Sequence, residues 1–251
     1  LVAQETTLYG TDLYGKKSLH RLLEELCKIT GIYWIRVLYC YPEEIYPELV
    51  EVIAREPKVC HYLDLPIQHA SDRILKRMGR RTSKKQLVEI VRTLREKIPD
   101  IVLRTTLING FPGETQGAHE ELMEFVDTME FDRLGVFTYS PEENTPAAVM
   151  KAQISEEIKE DRKAELMELQ QEISLERGNS RIGQVLLVMI EGKVADENAY
   201  VGRTYADAPN VDGYIFVQSP EMLMSGDFVK VRVTGALEYD LIGEIYDEYA
   251  E

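Results

Sequence analysis

The 251-residue sequence predicts a mixed α/β chain, with parallel strands and helices over 1–178 and a small antiparallel β-barrel over 179–251. Three observations carry this. Apolar runs of strand length alternate with amphipathic helical stretches as far as residue 140, a spacing that calls for right-handed βαβ crossovers. A long charged stretch, Ser155 to Arg177, then reads as one helix, with Gly178-Asn179 as its C-cap and the domain boundary. Beyond it the apolar period shortens to two, and Gly, Asp and Pro punctuate short strands.

The elements follow in order. Leu1-Val2-Ala3-Gln4 is a short apolar opening that reads as a strand, followed by turn residues around Tyr9-Gly10 and Tyr14-Gly15. Ser18-Leu19 starts a helix that places Leu19, Leu22, Leu23 and Leu26 on one face. Ile32 to Cys40, rich in β-branched and aromatic residues, reads as a buried strand. Glu43 to Arg55 returns to helical spacing, and Val59 to Leu65 to strand. Lys84 to Lys97 is an amphipathic helix stopped by Pro99. Ile101 to Ile108 is a strand, Glu114 to Met129 a helix and Leu134 to Tyr139 the last of five strands. The loop Pro141 to Pro146 breaks the alternation. In the barrel region the strands are Val185 to Ile190, Tyr214 to Val217, Phe228 to Val233 and Leu241 to Ile245.

With 44% hydrophobic and 29% charged residues, the composition is that of a soluble globular protein. No run is long enough to cross a membrane and no secretory signal is visible. Cys27, Cys40 and Cys60 are odd in number and far apart, which argues against a disulfide framework and suits a reducing cytoplasm. None pairs with another at metal-ligand spacing, so all three read as small buried hydrophobes. The net charge of −15 is uneven, and residues 180–251 alone carry −8. So acidic a region repels a phosphate backbone and attracts a basic partner.

Polar groups cluster where two strands end, the place where parallel sheets and barrels bind ligands. The first strand ends in Asp64-Leu65-Pro66-Ile67-Gln68-His69, and a basic turn, Lys76-Arg77-Met78-Gly79-Arg80-Arg81, follows. The second runs Arg104-Thr105-Thr106-Leu107-Ile108-Asn109-Gly110-Phe111-Pro112-Gly113-Glu114-Thr115. Its glycines let the backbone turn off the strand close to a flat ligand, and no Lys-Ser/Thr pair follows to make it a phosphate loop. Arg104, inside a buried strand, is either ion-paired to a neighbouring carboxylate or a clamp for a ligand carboxylate. Gln68 can hydrogen-bond a ribose or an amino-acid head group, and His69 reads as structural rather than as a base. Gln4, Glu5, Thr6 and Thr7 form a further polar strand end or a solvated turn. The basic run Lys76 to Lys85 could hold an acidic segment or start a solvated helix.

Taken together, the Ile67–Asp72, Lys76–Arg81 and Ile108–Thr115 motifs resemble the radical S-adenosylmethionine (SAM) methylthiotransferase family. The Gly202 to Gly213 stretch is similar to the TRAM domain that closes those enzymes, so the resemblance spans Gln4 to Glu251. It implies a partial radical SAM (βα) barrel, with Gln4, Gln68, Arg104, Ile108 and Asn109 binding SAM and Ile108 against the adenine. It also implies [4Fe–4S] clusters, one held by a CxxxCxxC motif that this sequence lacks. The chain therefore corresponds to a piece that starts at the second barrel strand and is inactive alone. Asp207 and Asp212 in the TRAM-like loop, within the acidic region, favour the RimO type over a transfer-RNA-modifying enzyme. That type implies a basic small-subunit ribosomal protein as partner and methylthiolation at the β-carbon of one of its aspartates. A 5′-deoxyadenosyl radical would abstract the hydrogen, with sulfur from a second cluster and methyl from another SAM. The alternatives are a transfer-RNA methylthiotransferase and a cluster-free module that binds a basic ribosomal protein. The sequence names no sulfur donor.

Overall fold

The structure, a computed structural model, describes residues 1–195 and 197–246. It divides into two compact units, Leu1–Gln170 and Gln171–Glu251.

In the first unit β1 (Ile35–Val37), β2 (Val59–Asp64), β3 (Val102–Asn109) and β4 (Arg133–Thr138) form one all-parallel sheet in chain order. Helices α1 (Thr11–Tyr14) and α2 (Leu19–Cys27) precede β1, and α3 (Pro47–Arg55) joins β1 to β2. Then α4 (Asp72–Arg77) and α5 (Lys84–Lys97) join β2 to β3, and α6 (Gln116–Met129) joins β3 to β4. Helix α7 (Glu156–Asn179) follows, and the division between units falls within it.

Helix α5 shows how local sequence sets an element. Leu87, Val91 and Leu94 recur at helical spacing and are all buried. Ser83 and Gln86 close a reciprocal capping box at its start. Ser83→Ala should cost about 1 kcal/mol in urea unfolding; an unchanged midpoint would mean the cap contributes nothing.

Four expectations are corrected. Leu1–Gln4 is not a strand: only Leu1 pairs with the β1 edge, its nitrogen donating to Arg36 O at 2.6 Å and its carbonyl accepting from Leu38 N at 3.1 Å. The long strand Ile32–Cys40 shrinks to Ile35–Val37, and Tyr39, at a left-handed φ of 58°, breaks it on the C-terminal side. The helix read from Glu43 begins only at Pro47, whose missing N–H suits the first turn; Pro42–Glu44 is a separate 3-10 turn. Gly178 is not a cap but lies inside α7, where a Cβ would stand 2.9 Å from that of Ala236. This glycine serves close packing rather than termination.

The second unit is a closed barrel of β5 (Val185–Lys193), β6 (Ala199–Arg203), β7 (Ile215–Gln218), β8 (Phe228–Ala236) and β9 (Leu241–Ile245), in the order β5-β6-β7-β9-β8. Val188, Ile190, Tyr200, Ile215, Val217, Val231, Val233 and Leu241 fill it. Strand β6 was absent from the expected set, and β7 pairs with β9 in parallel, so the barrel is not wholly antiparallel. Asp207 is 2% exposed, and its carboxylate accepts from the Thr204 hydroxyl at 2.8 Å, while Asp212 accepts from Ala208 N at 2.8 Å. Both carboxylates thus hydrogen-bond within their own loop.

Candidate functional site

Strand β3 divides the first unit's sheet into two chemistries. Leu103, Thr105, Leu107 and Asn109 are fully buried, whereas Arg104, Thr106 and Ile108 on the opposite face are only partly so. Parallel register brings Asp64 and Arg133 beside Arg104, Gly135 beside Thr106 and Phe137 beside Ile108. One face is therefore polar and partly open, edged by Ile108 and a 60% exposed Phe137 at its C-terminal end.

Both readings of Arg104 meet here. Its Nη1 donates to Asp64 Oδ1 at 2.9 Å and to Thr106 Oγ1 at 3.3 Å, so the ion pair exists. The guanidinium nonetheless lies on the open face, where Gly135 places no side chain beside it. Asp64 also accepts from Tyr39 N at 3.3 Å, which fixes the carboxylate that fixes Arg104.

Gln68 continues β2 past its end by hooking onto β3. Its N–H donates to Thr106 O at 2.9 Å and its carbonyl accepts from Ile108 N at 2.8 Å, with φ at 70°. The side-chain Oε1 is buried and without a hydrogen-bond partner among the described residues. An orphaned acceptor at a strand end is what a ligand donor would satisfy.

The structure separates the other two predicted site residues from this group. Gln4 is exposed, while its neighbour Glu5 accepts from Tyr41 N at 2.9 Å and Thr7 N at 3.0 Å. Burial pushes the Glu5 carboxyl above its ordinary range despite those two N–H groups. Asn109 points to the covered face, where Nδ2 donates to Lys159 O at 2.6 Å and Oδ1 lacks a partner among the described residues.

The three sequence motifs interlock behind the site. His69 Nδ1 accepts from Ala70 N and Ser71 N at 2.9 Å each, and its Nε2 lies 3.3 Å from Glu114 Oε2. Glu114 also accepts from Gly110 N at 2.7 Å and from Arg162 Nη1 at 2.8 Å. Burial alone would raise its pKa; His69, the Arg162 charge and the Gly110 N–H outweigh that and hold it below the ordinary value. From the basic run, Arg77 donates to Pro112 O at 2.9 Å and Arg80 to Pro66 O at 2.7 Å. These two arginines brace the strand-end loops. Sequence reasoning missed Arg162 and Lys159, which stand 48 and 50 residues from their partners Glu114 and Asn109 in a helix that reads as uniformly charged.

The residues present fit SAM: a guanidinium on an open face, an orphaned acceptor at Gln68 and an apolar edge at Ile108 and Phe137. They do not fit an iron–sulfur cluster. Cys40 and Cys60 are buried and Cys27 partly so, and no group of three His, Cys, Asp or Glu among the described residues could hold a metal. Burial drives the Cys40 thiol far up, away from the thiolate a cluster needs.

The Radical SAM superfamily model matches residues 3–126 and the TRAM domain model residues 182–245. The ribosomal protein uS12 methylthiotransferase RimO of Lachnoclostridium phytofermentans is 63% identical over 243 residues, covering 97% of this chain and 55% of that protein. The chain belongs to the radical SAM methylthiotransferase family, RimO type. A RimO of Clostridium botulinum (strain Langeland) is 53% identical over 251 residues, or 100% of this chain and 56% of that one. The chain thus spans a little over half the length of its curated methylthiotransferase relatives. Among solved structures, coproporphyrinogen III oxidase (HemN) of Escherichia coli aligns at a TM-score of 0.47 and 20% identity, over 64% of this chain and 36% of that one. No helix among the described residues is long and apolar enough to cross a membrane.

Proposed function

We propose that the whole protein to which this chain belongs methylthiolates the β-carbon of an aspartate in ribosomal protein uS12, in the cytoplasm. The observation that carries the proposal is the 63% identity to a RimO enzyme along 97% of the chain. The open face of the first sheet is where SAM would lie. SAM bound there supplies a radical precursor and a methyl group, with cluster ligands contributed from outside this chain.

The roles of this chain's residues follow from their chemistry. Arg104, held by Asp64, offers its guanidinium to the SAM carboxylate. Gln68 Oε1 accepts from a ribose hydroxyl or the amino group, and Ile108 packs on the adenine. Asn109 contributes through the strand-end backbone it stabilises, and Gln4 from the segment that precedes Glu5. The acidic barrel domain would draw the basic ribosomal protein electrostatically. Exposed carboxylates such as Glu197 and Glu244 would add to that attraction.

In the full-length enzyme Arg104→Ala should weaken SAM binding about tenfold or more, the scale of one charged hydrogen bond. Unchanged affinity by calorimetry would contradict the clamp.

A further inference from the structure

We propose that Lys159 and Arg162, on the first turns of α7, are positioning residues that set the geometry of the SAM-binding strand ends; the inference rests on the SAM site proposed above. Three loops must hold one arrangement for that site: the Gln68 turn after β2, the Gly110 turn after β3 and the segment after β4. Backbone hydrogen bonds anchor Gln68 to Thr106 and Ile108, and Tyr139 to Asn109, but beyond those points the loops leave the ladder and side chains must set their course. Gln68 and Gly110 both take left-handed φ, 70° each, and a non-glycine there persists only when its surroundings over-determine it.

The same two turns of α7 reach all three loops. Arg162 holds Glu114 at 2.8 Å, and Glu114 in turn holds the Gly110 N–H at 2.7 Å and faces His69, next to Gln68, at 3.3 Å. Lys159 lays its hydrocarbon stem across Gly110, where no Cβ could fit. Its Nζ donates to the Tyr139 carbonyl at 2.7 Å, just past β4, and its own carbonyl receives Asn109 Nδ2 at 2.6 Å.

The chemistry of these side chains favours positioning over plain stability. Lys159 is 2% exposed and Arg162 7%. Burying cations is costly unless each is paired, and apolar residues of similar size often pack a helix at least as stably. Directional charged bonds specify one placement of the loops, which greasy packing does not. Displacing a binding group by an ångström can cost up to about a hundredfold in rate.

The test uses the full-length enzyme and measures SAM affinity by calorimetry, with KM for SAM and for the protein substrate. Arg162→Met should weaken SAM binding about tenfold, and Arg162→Lys should recover most of the loss. Lys159→Met keeps the stem on Gly110 and should shift SAM affinity in the same direction, leaving KM for the protein substrate within about twofold. A folded Arg162→Met enzyme with SAM affinity within about twofold of wild type overturns the proposal, as does an equal loss toward both substrates. If Arg162→Met fails to fold, Lys159→Met decides alone, and unchanged SAM affinity there overturns it. A wild-type enzyme that binds no SAM would instead remove the proposed function, and this inference with it.

Discussion

Replacing Gly110 by alanine will destabilise the first unit by about 2–4 kcal/mol in urea unfolding. A left-handed φ costs a non-glycine residue about 1 kcal/mol, and an inserted methyl in a packed site about 1–3 more. Here φ is 70° and the new Cβ would overlap Lys159 Cγ, whose side chain is buried and held at its far end by Tyr139 O and Glu156. The clash has a partner, so it has a cycle: Lys159→Ala should remove the steric part and leave the backbone part. A Gly110→Ala protein with an unchanged midpoint would mean that Lys159 is not seated on the turn.

Glu114→Ala should cost about 3–5 kcal/mol, the scale for removing one member of a buried ion pair and stranding the other. It strips Arg162 and the Gly110 N–H of their shared acceptor at once and removes the carboxylate 3.3 Å from His69 Nε2. The same carboxylate gives a pH signature. Its folded pKa lies below the ordinary 4.5, so its stabilisation is fully present above that pH and is lost as pH falls through the lower folded value. The stability gap between wild type and Glu114→Ala should therefore be constant near neutrality and close on the acid side. A gap that stayed constant into strong acid would contradict the depressed pKa.

What the sequence revealed and what it hid divide along physical lines. Helix α5 was legible within its observed bounds because a serine cap, a 3.6 period and a following proline agree. The parallel order was legible because helices of crossover length separate the strands. Strand β6 was hidden: Ala-Tyr-Val-Gly-Arg is short and carries a glycine, and its stability comes from partners on both sides. The parallel β7–β9 pairing joins strands far apart in sequence, which periodicity cannot show.

The site was legible as a set of motifs but not as a geometry. Arg104 and Gln68 stood out because polar residues in and at the end of buried strands are unusual, whereas Ile108 entered only through the motifs' resemblance to the family. Alternation along β3 puts Asn109 opposite Arg104, a consequence of strand period that motif matching ignores. Arg77 and Arg80 read as a charged turn because their acceptors are backbone carbonyls, which have no sequence signature.

The most direct test of the central claim is product analysis with the full-length protein. It would be reconstituted anaerobically with its clusters, supplied with SAM, sulfide and a low-potential one-electron reductant, and offered a uS12 peptide and a transfer-RNA pool side by side. Mass spectrometry should find one methylthio group on an aspartate of the peptide and none on the RNA. A methylthio group on the RNA alone, or SAM cleavage that leaves the peptide unmodified, would contradict the account.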